Sequence, residues 1–185
     1  IGIQSKLESL LEECKNLKNE PISELQAEDR WILSKMQSMI GTVTESVEKM
    51  RLREGLHDIL FTFESDLSWY HKRVQAKGRK DISGILYKIN SARVAMLSPF
   101  APHIAEEMWE SLGNDNVVSK SAWPVYSKDD VDATAIQSEN LLKGTIDDIA
   151  NILKVTKIIP KKIVLYVNSD EMKSKVYRKV LSIMV

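Results

Sequence analysis

Cysteine is all but missing from this chain of 185 residues, where Cys14 stands alone. One cysteine builds neither a disulfide framework nor a cysteine-based zinc cluster, and it suits a reducing cytoplasm. No stretch reaches the roughly 18 consecutive apolar residues that a membrane span needs. The opening Ile1-Gly2-Ile3-Gln4 has neither a starting methionine nor the basic-then-apolar layout of a secretory leader. The closing Leu181-Ser182-Ile183-Met184-Val185 is apolar, so the chain reads as a piece excised from a longer protein. Internal repeats and low-complexity tracts are absent. Net charge is absent as well, because 26 basic and 26 acidic residues cancel. What remains is 43% hydrophobic and 28% charged, the composition of a soluble folded chain rather than a disordered one. The length suits one domain and the start of a second.

The zero total hides a polarity. From Lys154 onward the balance is +6, and residues 1–153 carry −6. A basic end of this kind suits a polyanionic partner, although a solvated lysine face has the same composition.

Apolar residues recur at helical spacing through most of the chain. Residues 3–18 form a first helix with Ile3, Leu7, Leu10, Leu11 and Cys14 on one side. Pro21 ends that segment, and Ser23 is the N-cap candidate for a long second helix running through Trp31, Ile32, Met36, Met39, Ile40, Val43, Val47 and Met50. Leu52 to Val74 continues the period as a third helix, and about Ile82 to Leu97 forms a fourth. Pro99 and Pro102 bracket a turn into a short fifth helix with Ile104, Met108, Trp109 and Leu112, closed by Gly113. Residues 113–134 are an ordered loop anchored by Val117, Val118, Trp123 and Val125. A sixth helix covers about Thr134 to Lys157, with Ile136, Leu142, Ile146, Ile149 and Leu153 inward. After Pro160 the β-branched run Ile163-Val164-Leu165-Tyr166-Val167 reads as a strand, and Glu171 to Val185 as a helix. The fold class is therefore mainly α, a helical bundle followed by the opening βα unit of a small α/β domain. It divides into a connecting helix (1–22), the bundle (23–159) and the truncated unit (160–185).

A catalytic centre is not legible. His57, His71 and His103 lack partners at ligand spacing, which argues against zinc. Phosphate-cradling glycine loops and nucleophile elbows are missing. Glu106, Glu107 and Glu110 read as acids at a helix start, favoured by the positive end of the helix dipole, rather than as an acid–base pair. One stretch does stand out. Lys72-Arg73-Val74-Gln75-Ala76-Lys77-Gly78-Arg79-Lys80 holds five cations in nine residues and no acid. Trp69 and Tyr70 precede it, and Arg51 and Arg53 form a smaller cluster. Cations in a loop neutralise phosphates, and flat rings stack on exposed bases. A solvated loop over core aromatics has the same sequence.

Ser98-Pro99-Phe100-Ala101-Pro102-His103-Ile104-Ala105-Glu106-Glu107-Met108-Trp109-Glu110 resembles the PFAPHIAEELW signature of class I aminoacyl-tRNA synthetases for branched aliphatic amino acids. Asp29-Arg30-Trp31-Ile32-Leu33-Ser34-Lys35-Met36 resembles the DRWLLSRL helix of their anticodon-binding bundle. Arg51 to Leu56 resembles their RFREA helix start, and Ser119 to Pro124 their S.A.WP loop. These follow the family's order and spacing over about residues 25–160. Ser68 to Arg73 is similar to the RWYLRR of leucyl-tRNA synthetase of the archaeal/eukaryotic-like type, and Ile152 to Val167 to its ILKVTKI.PKRVYIYVA junction. At Asn168 to Lys173 the chain departs from the relatives' APEWK and lacks its tryptophan.

The resemblance implies a ligase that joins leucine to its tRNA with ATP and magnesium through a leucyl-adenylate, in the cytoplasm, for protein synthesis. Its HIGH and KMSKS motifs are missing here, so the chain alone is expected to hold no cofactor, aminoacylate nothing and edit nothing. It would dock the leucine tRNA beside the catalytic and editing domains of the same protein, with no membrane involved. The expected tRNA-binding cations are Arg51, Arg53, Lys72, Arg73, Lys77, Arg79, Lys80, Lys161, Lys162, Lys175 and Arg178. On this reading Arg79 and Lys80 serve binding and not folding. Phe100 and Trp109 fill the core beneath the Pro99–Pro102 bend, so that Trp109→Ala costs about 3–5 kcal/mol. The corresponding domain of an isoleucine or valine enzyme, or a helical protein–protein docking domain, remain as alternatives.

Overall fold

The computed structural model describes residues 2–22, 24–160 and 162–164. Contacts divide the chain into two compact units, Ile1–Lys143 and Gly144–Val185. Among the described residues the regular elements are helical: α1 (Ile3–Asn16), α2 (Ala27–Glu48), α3 (Leu52–His57), α4 (Phe63–Ala76), α5 (Ser83–Leu97), α6 (Pro102–Ser111) and α7 (Ala133–Thr156). The strand and helix expected after Pro160 fall outside the described residues, apart from 162–164, which carry no regular structure.

Helix α2 is the axis of the first unit. Trp31, Ile32, Met36, Met39, Ile40 and Val43 recur at three and four and are all buried. Its start is not at Ser23. Gln26 is the N-cap, in a capping box where the Gln26 N–H donates to Asp29 Oδ2 at 2.9 Å. Its end is set by Met50, whose φ of 57° turns the chain left-handed so that the Arg51 N–H closes on the Ser46 carbonyl at 2.8 Å. Helix α2 packs on α3, α4 and α5, while α6 packs on α1 and α5. The α1 face contributes Leu10 and Cys14 to the same core. Burial, with Glu13 adding to it, pushes the Cys14 thiol up to about 12, which leaves it a packing residue.

The single third helix expected from Leu52 to Val74 is interrupted. Residues Asp58–Thr62 form a π turn between α3 and α4. The Phe63 N–H reaches back to the Asp58 carbonyl, and Arg93 of α5 donates Nη2 to the Ile59 carbonyl at 3.1 Å. Arg93 is fully buried, held also by Glu64 and Asn90. On α5, Gly84 meets residue 20 so closely that an added Cβ would lie 2.3 Å from the Glu20 carbonyl oxygen, so the crossing needs glycine.

Pro102 is the first residue of α6, as its fixed φ favours. The buried face there is Ala105 and Met108, followed by Leu112, whereas Phe100 and Trp109 are only half-buried against the core. Trp109 spends its indole N–H on Asn116 Oδ1 at 3.0 Å. The first turn of α6 holds no acid, which overturns the dipole reading of the glutamates. Glu106 instead accepts from the Val118 N–H at 2.8 Å and caps the short 3-10 turn Val118–Lys120.

The loop expected at 113–134 ends at Asp132 and is ordered, strapped along α2 by that helix's polar side chains. Trp123 Nε1 donates to Thr44 Oγ1 at 2.9 Å, the Ser127 N–H to Gln37 Oε1 at 2.9 Å, and the Asp132 N–H to Ser34 Oγ at 2.8 Å. Val118 and Trp123 anchor it, but Val117 and Val125 are exposed. Helix α7 buries Ala135 and Glu139, and Ile146 is exposed rather than inward.

Candidate nucleic-acid interface

The basic stretch sits where α4 ends. Gly78 takes φ of +66°, and the N–H groups of Gly78 and Arg79 return to the carbonyls of Gln75 and Val74 at 3.0 and 3.2 Å. This closes α4 with the left-handed cap that glycine favours. The chain then turns Arg79 inward, toward the first turn of α2.

Two carboxylates wait there. Glu28 and Asp29 are both fully buried at the positive end of α2. Burying two charges is strongly unfavourable unless each is paired and hydrogen-bonded. Arg79 Nη1 lies 3.0 Å from Glu28 Oε1 and 2.9 Å from Asp29 Oδ2, and its Nε lies 3.1 Å from Asp81. Lys77 Nζ adds a pair to Glu28 at 2.7 Å, and the Tyr70 hydroxyl donates to Asp29 Oδ1 at 2.7 Å. Burial works against the charge on Glu28, but the hydrogen bonds from Lys77 and Arg79 hold its carboxyl below the usual range. Burial likewise opposes the Arg79 charge, and the bonds to Asp81, Glu28 and Asp29 more than restore it. Tyr70, buried against Asp29, is pushed well above the ordinary phenol value.

The expected tRNA-binding cations therefore separate. Arg79 has a side chain only 8% exposed and is committed to folding, so the expectation that it leaves folding alone is corrected. Arg73 turns to Glu139 of α7 at 2.7 Å, sharing that carboxylate with Trp69 Nε1. Lys77 is tied to Glu28 and Gln26. Lys72 and Lys80 are exposed and make no hydrogen bond or ion pair among the described residues. Arg51 lies between Glu45 and Glu54 on the surface at 3.7 and 3.0 Å, and Arg53 is exposed without a partner among the described residues. Lys162 is exposed, whereas Lys161, Lys175 and Arg178 lie outside the described residues.

Neither aromatic is an open stacking platform. Tyr70 is fully buried. Trp69 is half-buried, with the Lys143 ammonium 5.2 Å from its ring centre. Among the described residues no three His, Cys, Asp or Glu gather as metal ligands, and no helix is long and apolar enough to cross a membrane.

Residues 29–166 match the family described as the anticodon-binding domain of tRNA ligase. The chain belongs to that family. The domain is homologous to those of leucyl-tRNA synthetases. A leucine–tRNA ligase of Methanosarcina mazei is 35% identical over 144 residues, 78% of this chain and 14% of that protein. One of Methanococcoides burtonii is 33% identical over 163 residues, 87% of this chain and 16% of that protein. The chain thus spans only about a seventh of the length of these curated relatives. Among solved structures, a ternary LeuRS–tRNA–LeuAMS complex of Agrobacterium radiobacter matches with TM-score 0.54 and 25% identity, over 70% of this chain and 16% of that one.

Sequence reasoning about this anticodon-binding domain missed the counter-charges. Asp29 enters the sequence reading only as the head of the DRWLLSRL-like helix and Glu28 not at all, although adjacent acids in the first turn of an apolar helix are the signal for such counter-charges. Lys143 was missed as well. It lies 4.5 Å from the Trp31 ring centre and pairs with Asp66 at 3.5 Å.

Proposed function

We propose that this anticodon-binding domain docks leucine tRNA for a leucyl-tRNA synthetase, the intact enzyme joining leucine to tRNA at the expense of ATP in the cytoplasm. The observation that supports it most directly is two exposed cations without a partner among the described residues, Lys72 on α4 and Lys80 on the following turn, which is pinned on buried acids. Ammonium groups held this way meet phosphate oxygens with release of counterions and at little cost in ordering. Arg53, exposed on α3, and Lys162 join them in this reading. ATP and its magnesium belong to the catalytic domain of the same protein, which together with the editing domain is the chain's other partner. The chain alone neither aminoacylates nor edits. The lone buried Cys14 suits a reducing compartment.

The test is equilibrium binding of this chain to leucine tRNA, with isoleucine tRNA as control, across a salt titration. Binding whose logarithm falls by about 0.7–0.9 per phosphate contact with the logarithm of salt, and which favours leucine tRNA, is the expected result. Binding with no salt dependence overturns the phosphate reading, and equal affinity for both tRNAs overturns the leucine assignment.

A further inference from the structure

Arg79 presents a contradiction if every cation of the 72–80 stretch is taken as an RNA contact. Its guanidinium faces away from solvent: Nη1 alone donates to both Glu28 and Asp29, while Nε and Nη2 donate to Asp81 Oδ1 and Oδ2 at 3.1 and 3.5 Å. The next residue, Lys80, is exposed and unpaired among the described residues. Gly78 before it supplies the left-handed bend. A planar guanidinium that holds Asp81 on its Nε–Nη2 edge and both α2 carboxylates on Nη1 fixes distance and angle together, which a flexible lysine does not. The guanidinium thus defines where the backbone of the turn lies relative to α2, and with it where the Lys80 ammonium projects. Lys72 stands on α4 itself and does not depend on the turn.

We infer that Arg79 is a positioning residue for tRNA: clamped by Glu28 and Asp29, it sets the turn that carries Lys80 to a phosphate, and does not touch the RNA itself. This rests on the tRNA-docking reading above.

The experiment uses the whole chain and a leucine tRNA transcript, with binding measured for Lys72→Ala, Lys80→Ala, Arg79→Gln, Glu28→Gln and the Arg79→Gln/Lys80→Ala pair. Each lysine variant should weaken binding by about three- to tenfold, with a shallower salt slope. Arg79→Gln should weaken it about as much as Lys80→Ala, and add nothing in the Lys80→Ala background, since a positioning residue has no effect once the group it positions is gone. Losses that multiply in the paired variant show a direct contact and overturn the inference. Glu28→Gln separates the two accounts again and keeps every cation. Removing a negative charge should tighten RNA binding if only charge matters, whereas loosening the clamp should weaken it severalfold. Tighter or unchanged binding by folded Glu28→Gln overturns the positioning role, even where Arg79→Gln fails to fold. If neither lysine variant loses affinity, the docking reading itself falls. If they do and Arg79→Gln does not, this inference alone falls.

Discussion

The turns that end α2 and α4 are built alike and do different things. Each closes a helix with a left-handed residue, Met50 at φ 57° and Gly78 at φ +66°. In each, the next N–H returns five residues, Arg51 to Ser46 and Arg79 to Val74. An arginine follows the left-handed residue in both. Arg51 then meets Glu45 and Glu54 on the surface, while Arg79 enters the space between two fully buried acids. The same local backbone therefore yields a solvated charge in one place and a structural clamp in the other. What decides is not the turn but what lies opposite it.

That contrast can be broken by substitution. Arg79→Ala leaves Glu28 with Lys77 and the backbone, and Asp29 with Tyr70 and the backbone, and should cost about 3 kcal/mol, the low end of breaking a buried pair, read by denaturant unfolding. Acid should expose the same clamp. The folded Glu28 carboxyl lies below its ordinary value of 4.5, so its stabilisation is complete above that pH and is lost as pH falls through the lower folded value. The melting temperature of the wild type should drop through that window, and Glu28→Gln should flatten the drop. Gly78→Ala meets no neighbour within 4 Å, so its cost of about 1 kcal/mol is purely that of a left-handed alanine. Met50→Gly should do the reverse and stabilise by a few tenths to about 1 kcal/mol, because its side chain is mostly exposed. Smallest is Arg51→Ala, at about 0.5 kcal/mol or less, as for other surface ion pairs. A loss at Arg51 as large as that at Arg79 would dissolve the contrast.

Helical period made most of the bundle legible. The face Trp31 to Val43 of α2 and the α5 run through Ile85, Leu86, Ile89 and Met96 are buried as the spacing required. Spacing could not show the π turn at 58–62, because one extra residue in a helix preserves an apolar face on both sides of the break. The half-burial of Trp109 escaped for a related reason: the smaller Ala105 and Met108 fill the α6 contact, and size alone is no guide to which side faces the core. In the basic stretch, the presence of cations was visible, but their division was not. Sequence lists Arg79 and Lys80 side by side, and only the folded chain shows Glu28 and Asp29 arriving opposite one of them from about fifty positions away. The tRNA ligase resemblance reached the family but carried no information on that division.

The π turn between α3 and α4 works as a phase keeper. Each residue of an α-helix advances the chain by about 100°, and the five-residue reach of Asp58–Thr62 absorbs one residue more than an ordinary turn. Were all five residues to wind as ordinary α-helix instead, everything before them, Arg53 and the buried Gly55 included, would swing by about 100° relative to α4. Gly55 lies beside Ser46, Val43 and Phe100 with no side chain of its own to intrude. That swing would replace it in the seam by a neighbour that has one. The extra residue is therefore taken up inside the turn, and a family alignment should accept a one-residue gap at 58–62, with a plain α turn in the shorter relatives, but none elsewhere in α3 or α4.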